Sequence, residues 1–425
     1  MIRRISVRDL KPGMLVAGVP NHALLDAQRV YAVEGYVRSA EEVLEIVRQG
    51  FREVFVDLRS ALSDRSRDPS GSRWAGLPEE VEQELGRLSA SRPHEAAHAF
   101  ADPDGERLRL DLARARELYE DNLRLARRLF AEAAQGRTLS LAEARQGLER
   151  TLEELTADPA ATLWAARLAE NRARLHIHSV NVSLISMAFA LHLGLDREDA
   201  LRIGLAGLLH DLGQTRLPLE LTTRRGRLSA AEQALFDRHA HDGEVILRRQ
   251  GGVPEGIIRA VAEHHERHDG KGRPAGLSGA ARCPQGRILA LADQFDLLSR
   301  PGYDPRSDSP SRAMTLLFAE RGAAHEPGDV ERFVRFMGVY PLGSLVRLSD
   351  GRTAMVWRHD PENPLAPLVN VVLDAQARPM ETACVNLALD RGRRGDAGLH
   401  IAAELRPEAV ADPRALAPLP ASEAV

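Results

Sequence analysis

Seven side chains constrain this chain more than any other feature: His178, the pair His210-Asp211, His239, the pair His264-His265, and Asp293. Each lies in or beside an apolar-periodic helical stretch. His178 opens HSVNVSLISMAFAL, His210-Asp211 closes IGLAGLLHD just before Gly213, and His239 closes AAEQALFDRH. His264-His265 closes IIRAVAEHH, and Asp293 sits within RILALADQFDLL. A chain that brings imidazoles and carboxylates from four or five helical elements to one point needs a rigid, all-helical domain around them. The chemistry that uses such a set is a pair of cations close together, which takes roughly five to seven neutral imidazole and carboxylate ligands, one of them able to bridge. Asp211 is the natural bridge, because an adjacent His and Asp can address neighbouring positions. Taken singly, each residue also reads as a helix-capping or surface histidine. The HD dipeptide recurs at His241-Asp242, His268-Asp269 and His359-Asp360, so the order and helical setting of the whole set carry the argument.

The rest of the chain divides around that set. At 425 residues it exceeds one ordinary core, and two or three domains are expected. Residues 1–58 read as a small N-terminal domain. In it Ile5, Val7 and Leu10 lead into a Lys11-Pro12-Gly13 turn, Glu41 to Arg48 form a short amphipathic helix, and Val54, Phe55 and Val56 form a strand. Residues 59–105 read as a linker with a short helix, Ser-, Asp-, Arg-, Pro- and Gly-rich from Ser60 to Gly76 and broken again from Ser91 to Gly105. Residues 106–174 are helical, with Leu118, Asn122, Leu125 and Leu129 on one face, suited to a bundle or a partner helix, and an interruption at Asp158-Pro159. Residues 175–335 alternate helical runs with short polar loops. Residues 336–403 turn strand-rich: Leu345-Val346, an Asp350-Gly351 turn, Ala354 to Trp357, then Val369 to Leu373. Residues 404–425 are rich in Ala, Pro and Glu and are expected to be disordered. The fold class is mainly α, a helical domain flanked by a small N-terminal α/β domain and a short C-terminal β-rich extension.

Composition narrows the function classes. Aromatics at 4% leave the cores to Leu, Ala and Val. A net charge of -4 argues against wholesale binding of nucleic acid or an anionic membrane. The two cysteines, Cys283 and Cys384, make no CxxC pair, which excludes a thiolate zinc site and fits a reducing compartment. The opening MIRRISVRDL lacks a signal-peptide core, and the apolar run from Val182 to Leu195 is too short to span a bilayer. A cytoplasmic protein is expected.

The segment from His178 to about Tyr303 resembles the HD-GYP family of phosphodiesterases. The matching stretches are HSVNVS at 178–183, LLHDLG at 208–213, HAHDG at 239–243, HHERHDGKGRPAGLSG at 264–279 and RILALADQFDLLS at 287–299. The flanks agree. ISVRDLKPGMLV resembles a small domain of unknown function often found ahead of such domains, and VYPLGSLVRLSDGRTAMV at 339–356 resembles the strand-rich extension that follows them. The resemblance implies a helical HD-type domain that hydrolyses cyclic di-GMP to pGpG or GMP with two or three iron or manganese ions, zinc being a further option. It assigns metal ligation to His178, His210, Asp211, His239, His264, His265 and Asp293, with His210 and Asp211 at the catalytic centre.

Three departures from the family pattern bear on that expectation. Gln214 stands where the family has a Lys expected to hold substrate phosphate, with Arg216 two residues on as a substitute cation. Gly272-Arg273-Pro274 replaces Gly-Tyr-Pro, so Arg273 either contacts phosphate or points into solvent. Arg174 occupies the position of a Glu that holds a third metal in some members, which predicts two metals here. Arg300-Pro301 followed by Tyr303 resembles a family Arg-Pro-Tyr-Arg stretch, making Arg300 or Arg306 a phosphate contact or a surface charge. The substrate-binding candidates are therefore Gln214, Arg273 and Arg300. Other readings stay open: hydrolysis of a different cyclic dinucleotide or phosphoester, or a catalytically weak signalling adaptor with a retained metal site. A homodimer or a protein signalling partner is compatible with each.

Overall fold

The structure is a computed structural model. It describes residues 2–6, 10, 15–16, 30–31, 35–36, 43, 53–57, 105–168, 174–223, 228–300, 307, 309–360, 363 and 365–405. The turn at 11–13, the 60–76 linker, Tyr303 and Arg306 lie outside these residues, as do the expected 41–48 helix apart from Val43, which is helical, and the expected 404–425 tail apart from Glu404 and Leu405, which close a strand where disorder was expected.

The chain forms two compact units, divided after Ser72. The first contains a five-stranded sheet of β1 (Ile2–Ser6), β2 (Leu15–Val16), β3 (Val30–Tyr31), β4 (Gly35–Tyr36) and β5 (Glu53–Asp57), in which β5 is central and pairs with β1, β2 and β3. The expected strand at Val54 to Val56 is that central strand, and Val54 is fully buried. β3 runs parallel to β5, whereas β1 and β2 run antiparallel to it.

In the second unit the first described helices are α1 (Gly105–Ala134), α2 (Leu141–Ala157) and α3 (Pro159–Leu168). Asp158 ends α2 and starts α3: its carboxylate accepts from the backbone N–H groups of Ala160 and Ala161, and Pro159 fills a first-turn position where no N–H is needed. The buried face of α1 is rotated from the expected one. Ala115, Tyr119, Asn122, Leu123, Ala126, Leu129 and Phe130 are buried, whereas Leu118 and Leu125 are half-buried. The packed stripe follows the 3.6-residue period through Tyr119, Leu123, Ala126 and Phe130, and α2, α3 and α4 (Arg174–His192) cover it.

Helix α4 packs against α1 and α3. Among the described residues it alone is long and apolar enough to cross a membrane by composition, yet 78% of its Leu175–His192 window is buried in the fold, which makes it a core helix. The chain continues through α5 (Arg197–Leu209), a 3-10 turn (Leu212–Arg216), α6 (Leu219–Thr223), α7 (Ala230–Phe236), α8 (His239–Gln250) and α9 (Glu255–Glu263); α5 packs on α4, and α8 on the 3-10 turn and α9. The helices α10 (Pro284–Leu298), α11 (Pro310–Ala319) and α12 (Pro327–Met337) complete the set. Side-chain caps start several of them: Asp196 at α5, a Ser229–Glu232 capping box at α7, and Ser309 at α11. The chain then forms an antiparallel sheet in the order β10-β6-β7-β8-β9. Its strands are β6 (Leu345–Leu348), β7 (Thr353–Arg358), β8 (Leu368–Leu373), β9 (Pro379–Asn386) and β10 (Ile401–Leu405), with α13 (Leu387–Arg394) between the last two. The expected hairpin is β6–β7, with Val346 opposite Ala354. The indole of Trp164 on α3 donates to the carbonyl of Trp357 on β7 at 2.7 Å and joins this sheet to the helices.

Candidate metal centre

Five elements converge on one buried point. His178 comes from the first turns of α4, and His210 and Asp211 from the junction between α5 and the 3-10 turn. His239 is the first residue of α8, His264 and His265 follow the last turn of α9, and Asp293 lies in the middle of α10. Helix ends supply most of these groups because an imidazole there can be pinned by an unpaired carbonyl of the preceding turn. His210 Nδ1 donates to Gly207 O at 2.8 Å, His239 Nδ1 to Phe236 O at 2.7 Å, and His264 Nδ1 to Val261 O at 2.7 Å. Each bond fixes the proton on Nδ1 and turns a bare Nε2 inward.

The inward atoms form two facing groups. His178, His210 and Asp211 make one; His239, His264 and His265 make the other. One oxygen of Asp211, Oδ1, stands 3.3 Å from His239 Nε2, whereas Oδ2 stands 3.3 Å from His210 Nε2 and 3.7 Å from His178 Nε2. That carboxylate therefore looks toward both groups. Asp293 Oδ1 joins the first, 2.9 Å from His178 Nε2 and 3.7 Å from His210 Nε2. All seven residues expected from the sequence meet here.

The donor set fits cations. His210 Nε2 is buried with no hydrogen-bond partner. His239 Nε2 lies 3.2 Å from His264 Nε2 and 3.1 Å from His265 Nε2. With Nδ1 of His239 and His264 already donating to carbonyls, those two rings face lone pair to lone pair, an arrangement that a shared cation relieves. Burial, reinforced by the neighbouring imidazoles, holds His264 and His265 well below the usual histidine range, so both stay neutral and ligand-ready. Burial would raise Asp211 and Asp293, but the surrounding histidines outweigh it and hold both carboxylates ionised. At His178 burial is likewise outweighed, by Asp293 and Asp296, which push its imidazole up to about 9.

Close packing sets the spacing between the groups. A Cβ on Gly213, just past Asp211, would lie 2.0 Å from the His239 carbonyl oxygen and 2.5 Å from the Gly243 nitrogen. Only glycine lets the 3-10 turn approach α8 this closely. The loop after His265 is held by Glu266, whose carboxylate accepts from the backbone N–H groups of Ala275, Gly276 and Leu277 at 2.6, 3.1 and 2.9 Å. A Cβ on Gly272 would collide with the backbone of Arg267 at 2.2 Å.

The substrate-binding candidates are more dispersed. Gln214 lies on the 3-10 turn, half-buried, its N–H donating to Asp211 O at 2.9 Å. Arg216 reaches Asp242 at 3.6 Å. Arg273 is exposed and forms an ion pair with Asp237, two residues before His239. Arg300 pairs with Asp296 behind His178. Arg174 is the first residue of α4. Sequence reasoning missed Asp296, Glu266 and Glu263, whose carboxylate accepts from the Cys283 backbone N–H at 2.6 Å just before α10. Asp296 was legible as the second carboxylate of DQFD, one helical turn after Asp293 on the same face. The others look like ordinary surface charges in sequence, yet both are buried.

Comparison with known proteins adds to this geometry. A model of the HD domain matches residues 159–326, and a model described as a domain of unknown function, DUF3391, matches residues 2–144. A cyclic di-GMP phosphodiesterase of Pseudomonas aeruginosa is 27% identical over 397 residues, 93% of this chain and 90% of that one. A cyclic di-GMP phosphodiesterase response regulator of Xanthomonas campestris is 32% identical over 36% of this chain and 41% of its own length. A 3′3′-cGAMP-specific phosphodiesterase of Vibrio cholerae is 35% identical over 36% of this chain and 30% of its own. The chain thus spans less than half the length of the last two.

Proposed function

The chain belongs to the HD-GYP family of HD-domain proteins, and from that premise we propose that it is a metal-dependent phosphodiesterase that hydrolyses cyclic di-GMP to pGpG or GMP. The observation that carries this reading is Asp211, with one carboxylate oxygen turned to each of two facing ligand groups. His178, His210, Asp211 and Asp293 would hold one divalent cation; His239, His264, His265 and the other oxygen of Asp211 would hold a second. Iron or manganese suits this mixed imidazole and carboxylate set, and zinc accepts the same donors. Bound there, the cations would neutralise charge on the phosphodiester oxygens and make a water acidic enough to act as nucleophile.

The chain's own residues do the positioning. Burial keeps His264 and His265 neutral, the carbonyls of residues 207, 236 and 261 fix the tautomers of His210, His239 and His264, and Asp211 offers one oxygen to each of the two groups. Gln214, one turn beyond Asp211, offers an amide to a substrate phosphate where a cation would bind more strongly. Arg273 is engaged by Asp237, so its guanidinium serves the wall of the site before it serves the substrate.

The test is a substrate panel for the Mn(II)-loaded protein: cyclic di-GMP, 3′3′-cGAMP and bis-p-nitrophenyl phosphate, with products separated by chromatography. A kcat/KM at least tenfold higher for cyclic di-GMP than for the other two supports the proposal. Preference for 3′3′-cGAMP would reassign the substrate, and turnover of the simple diester alone would overturn the dinucleotide reading.

A further inference from the structure

The HD-domain match begins at residue 159, but the hydrogen bonds that hold the first metal-site histidine begin outside it. His178 Nδ1 donates to Asp296 Oδ2 at 2.8 Å, and this bond turns Nε2 toward Asp293, 2.9 Å away, and Asp211, 3.7 Å away. The other oxygen of Asp296, Oδ1, accepts from the Asn181 side-chain amide at 2.8 Å. The amide oxygen of Asn181 accepts in turn from the Tyr119 hydroxyl at 2.8 Å. All four side chains are buried; Tyr119 is 3% exposed and Asn181 8%. Tyr119 stands on α1, within the 2–144 segment that matches a different family model.

The chain of bonds has a direction. The carboxylate of Asp296 offers only acceptors, so the atom of Asn181 that faces it is the amide nitrogen, and its oxygen faces Tyr119. A phenol donating to that oxygen fixes the amide against rotation. The fixed amide holds one oxygen of Asp296, Arg300 and His178 share the other, and the carboxylate plane then sets the angle of the imidazole. Outer partners of this kind orient a metal-binding histidine and raise its basicity.

We propose that Tyr119 and Asn181 are positioning residues for the metal centre, acting through Asp296 to set the orientation and tautomer of His178. The inference rests on the metal-site reading above. It makes α1, which lies outside the HD-domain match, a working part of that site, and it assigns the effect to one of the two ligand groups. His239, His264 and His265 take their orientation from other partners and are not expected to respond.

Titration of the full-length, metal-free chain with Co(II), followed by visible absorption and by competition with a chelator, tests this without any turnover. In Tyr119→Phe, one of two binding steps should weaken by roughly three- to tenfold with an altered ligand-field spectrum, and the other step should be unchanged. Asn181→Ala should weaken the same step by roughly ten- to a hundredfold. The double variant should lose no more than Asn181→Ala alone, because Tyr119 acts only through Asn181. In the Mn(II)-loaded enzyme, kcat should fall while KM holds.

The proposal is overturned by Co(II) affinity and spectrum unchanged in both single variants, by losses that add in the double variant, or by equal weakening of both steps. A lower melting temperature of the metal-free Tyr119→Phe protein with unchanged Co(II) binding would show a purely structural role and would likewise overturn it. If Tyr119→Phe fails to fold, Asn181→Ala tests the same link. Failure of the wild-type chain to bind Co(II) at all would instead remove the metal-site reading.

Discussion

Asp211 illustrates how much one side chain carries here. Its carboxylate is buried, kept ionised by three histidines, and turned to both halves of the centre. Gln214 is the contrasting residue, a neutral amide three positions on. Arg216, 3.6 Å from Asp242, shares its charge with that carboxylate, so the turn supplies less free positive charge than a lysine would. Gln214→Lys should therefore raise kcat/KM for cyclic di-GMP roughly tenfold or more, since a charge-assisted phosphate contact contributes about 1.5–3 kcal/mol. Steady-state kinetics would show it; an unchanged kcat/KM would mean that the position does not face the phosphate. The seven ligands were legible in the sequence because metal chemistry restricts residue type and because each stands at a helix boundary or on an apolar helix. Tyr119 was not legible: its partner Asn181 lies 62 residues away, and nothing local distinguishes a phenol on a packed helix from ordinary core.

Among the elements, the 3-10 turn and α8 have the tightest contact that bears on function. Gly213 lets the backbone of the turn lie against His239 and Gly243. Gly213→Ala would push these apart, at a cost of about 3 kcal/mol or more from overpacking against backbone that cannot yield. Denaturant unfolding of the metal-free protein should show that loss, and Mn(II) binding should weaken along with it; stability within 0.5 kcal/mol of wild type, roughly the ordinary surface range, would contradict the packing argument. Helix and strand identities followed from periodicity and turn residues: the Asp158-Pro159 break and the hairpin at Asp350-Gly351 appear where the sequence placed them. The rotation of α1 did not, because Leu118 and Leu125 look more apolar than Tyr119 and Ala126. The packed face was set by the helices that cover it, which no local pattern encodes.

At the scale of the molecule, the loop after His265 is joined to the segment before α12: the N–H groups of His268 and Asp269 donate to Ala324 and Ala323. His325, next in that segment, is buried and hydrogen-bonded to Gln294. Burial, reinforced by Arg282 and Arg267, pushes its imidazole down to about 3. The unfolded chain takes up this proton near pH 6.5 and the folded chain does not, so stability is full above about pH 6.5 and falls as the pH drops toward 3. This group alone contributes a slope of up to about 1.4 kcal/mol per pH unit in that window. Urea unfolding of wild type and His325→Gln at pH 5 and pH 7 should show a smaller pH dependence in the variant; equal dependence would mean that His325 titrates normally in the fold.

The most direct measurement is cyclic di-GMP turnover by the purified chain loaded anaerobically with Fe(II) or Mn(II), with Asp211→Ala beside it and metal content determined for both. Metal-dependent formation of pGpG or GMP by the wild type, lost in Asp211→Ala, is the expected result. No product from a wild-type chain that carries about two metal ions would contradict the assignment of this centre to cyclic dinucleotide hydrolysis.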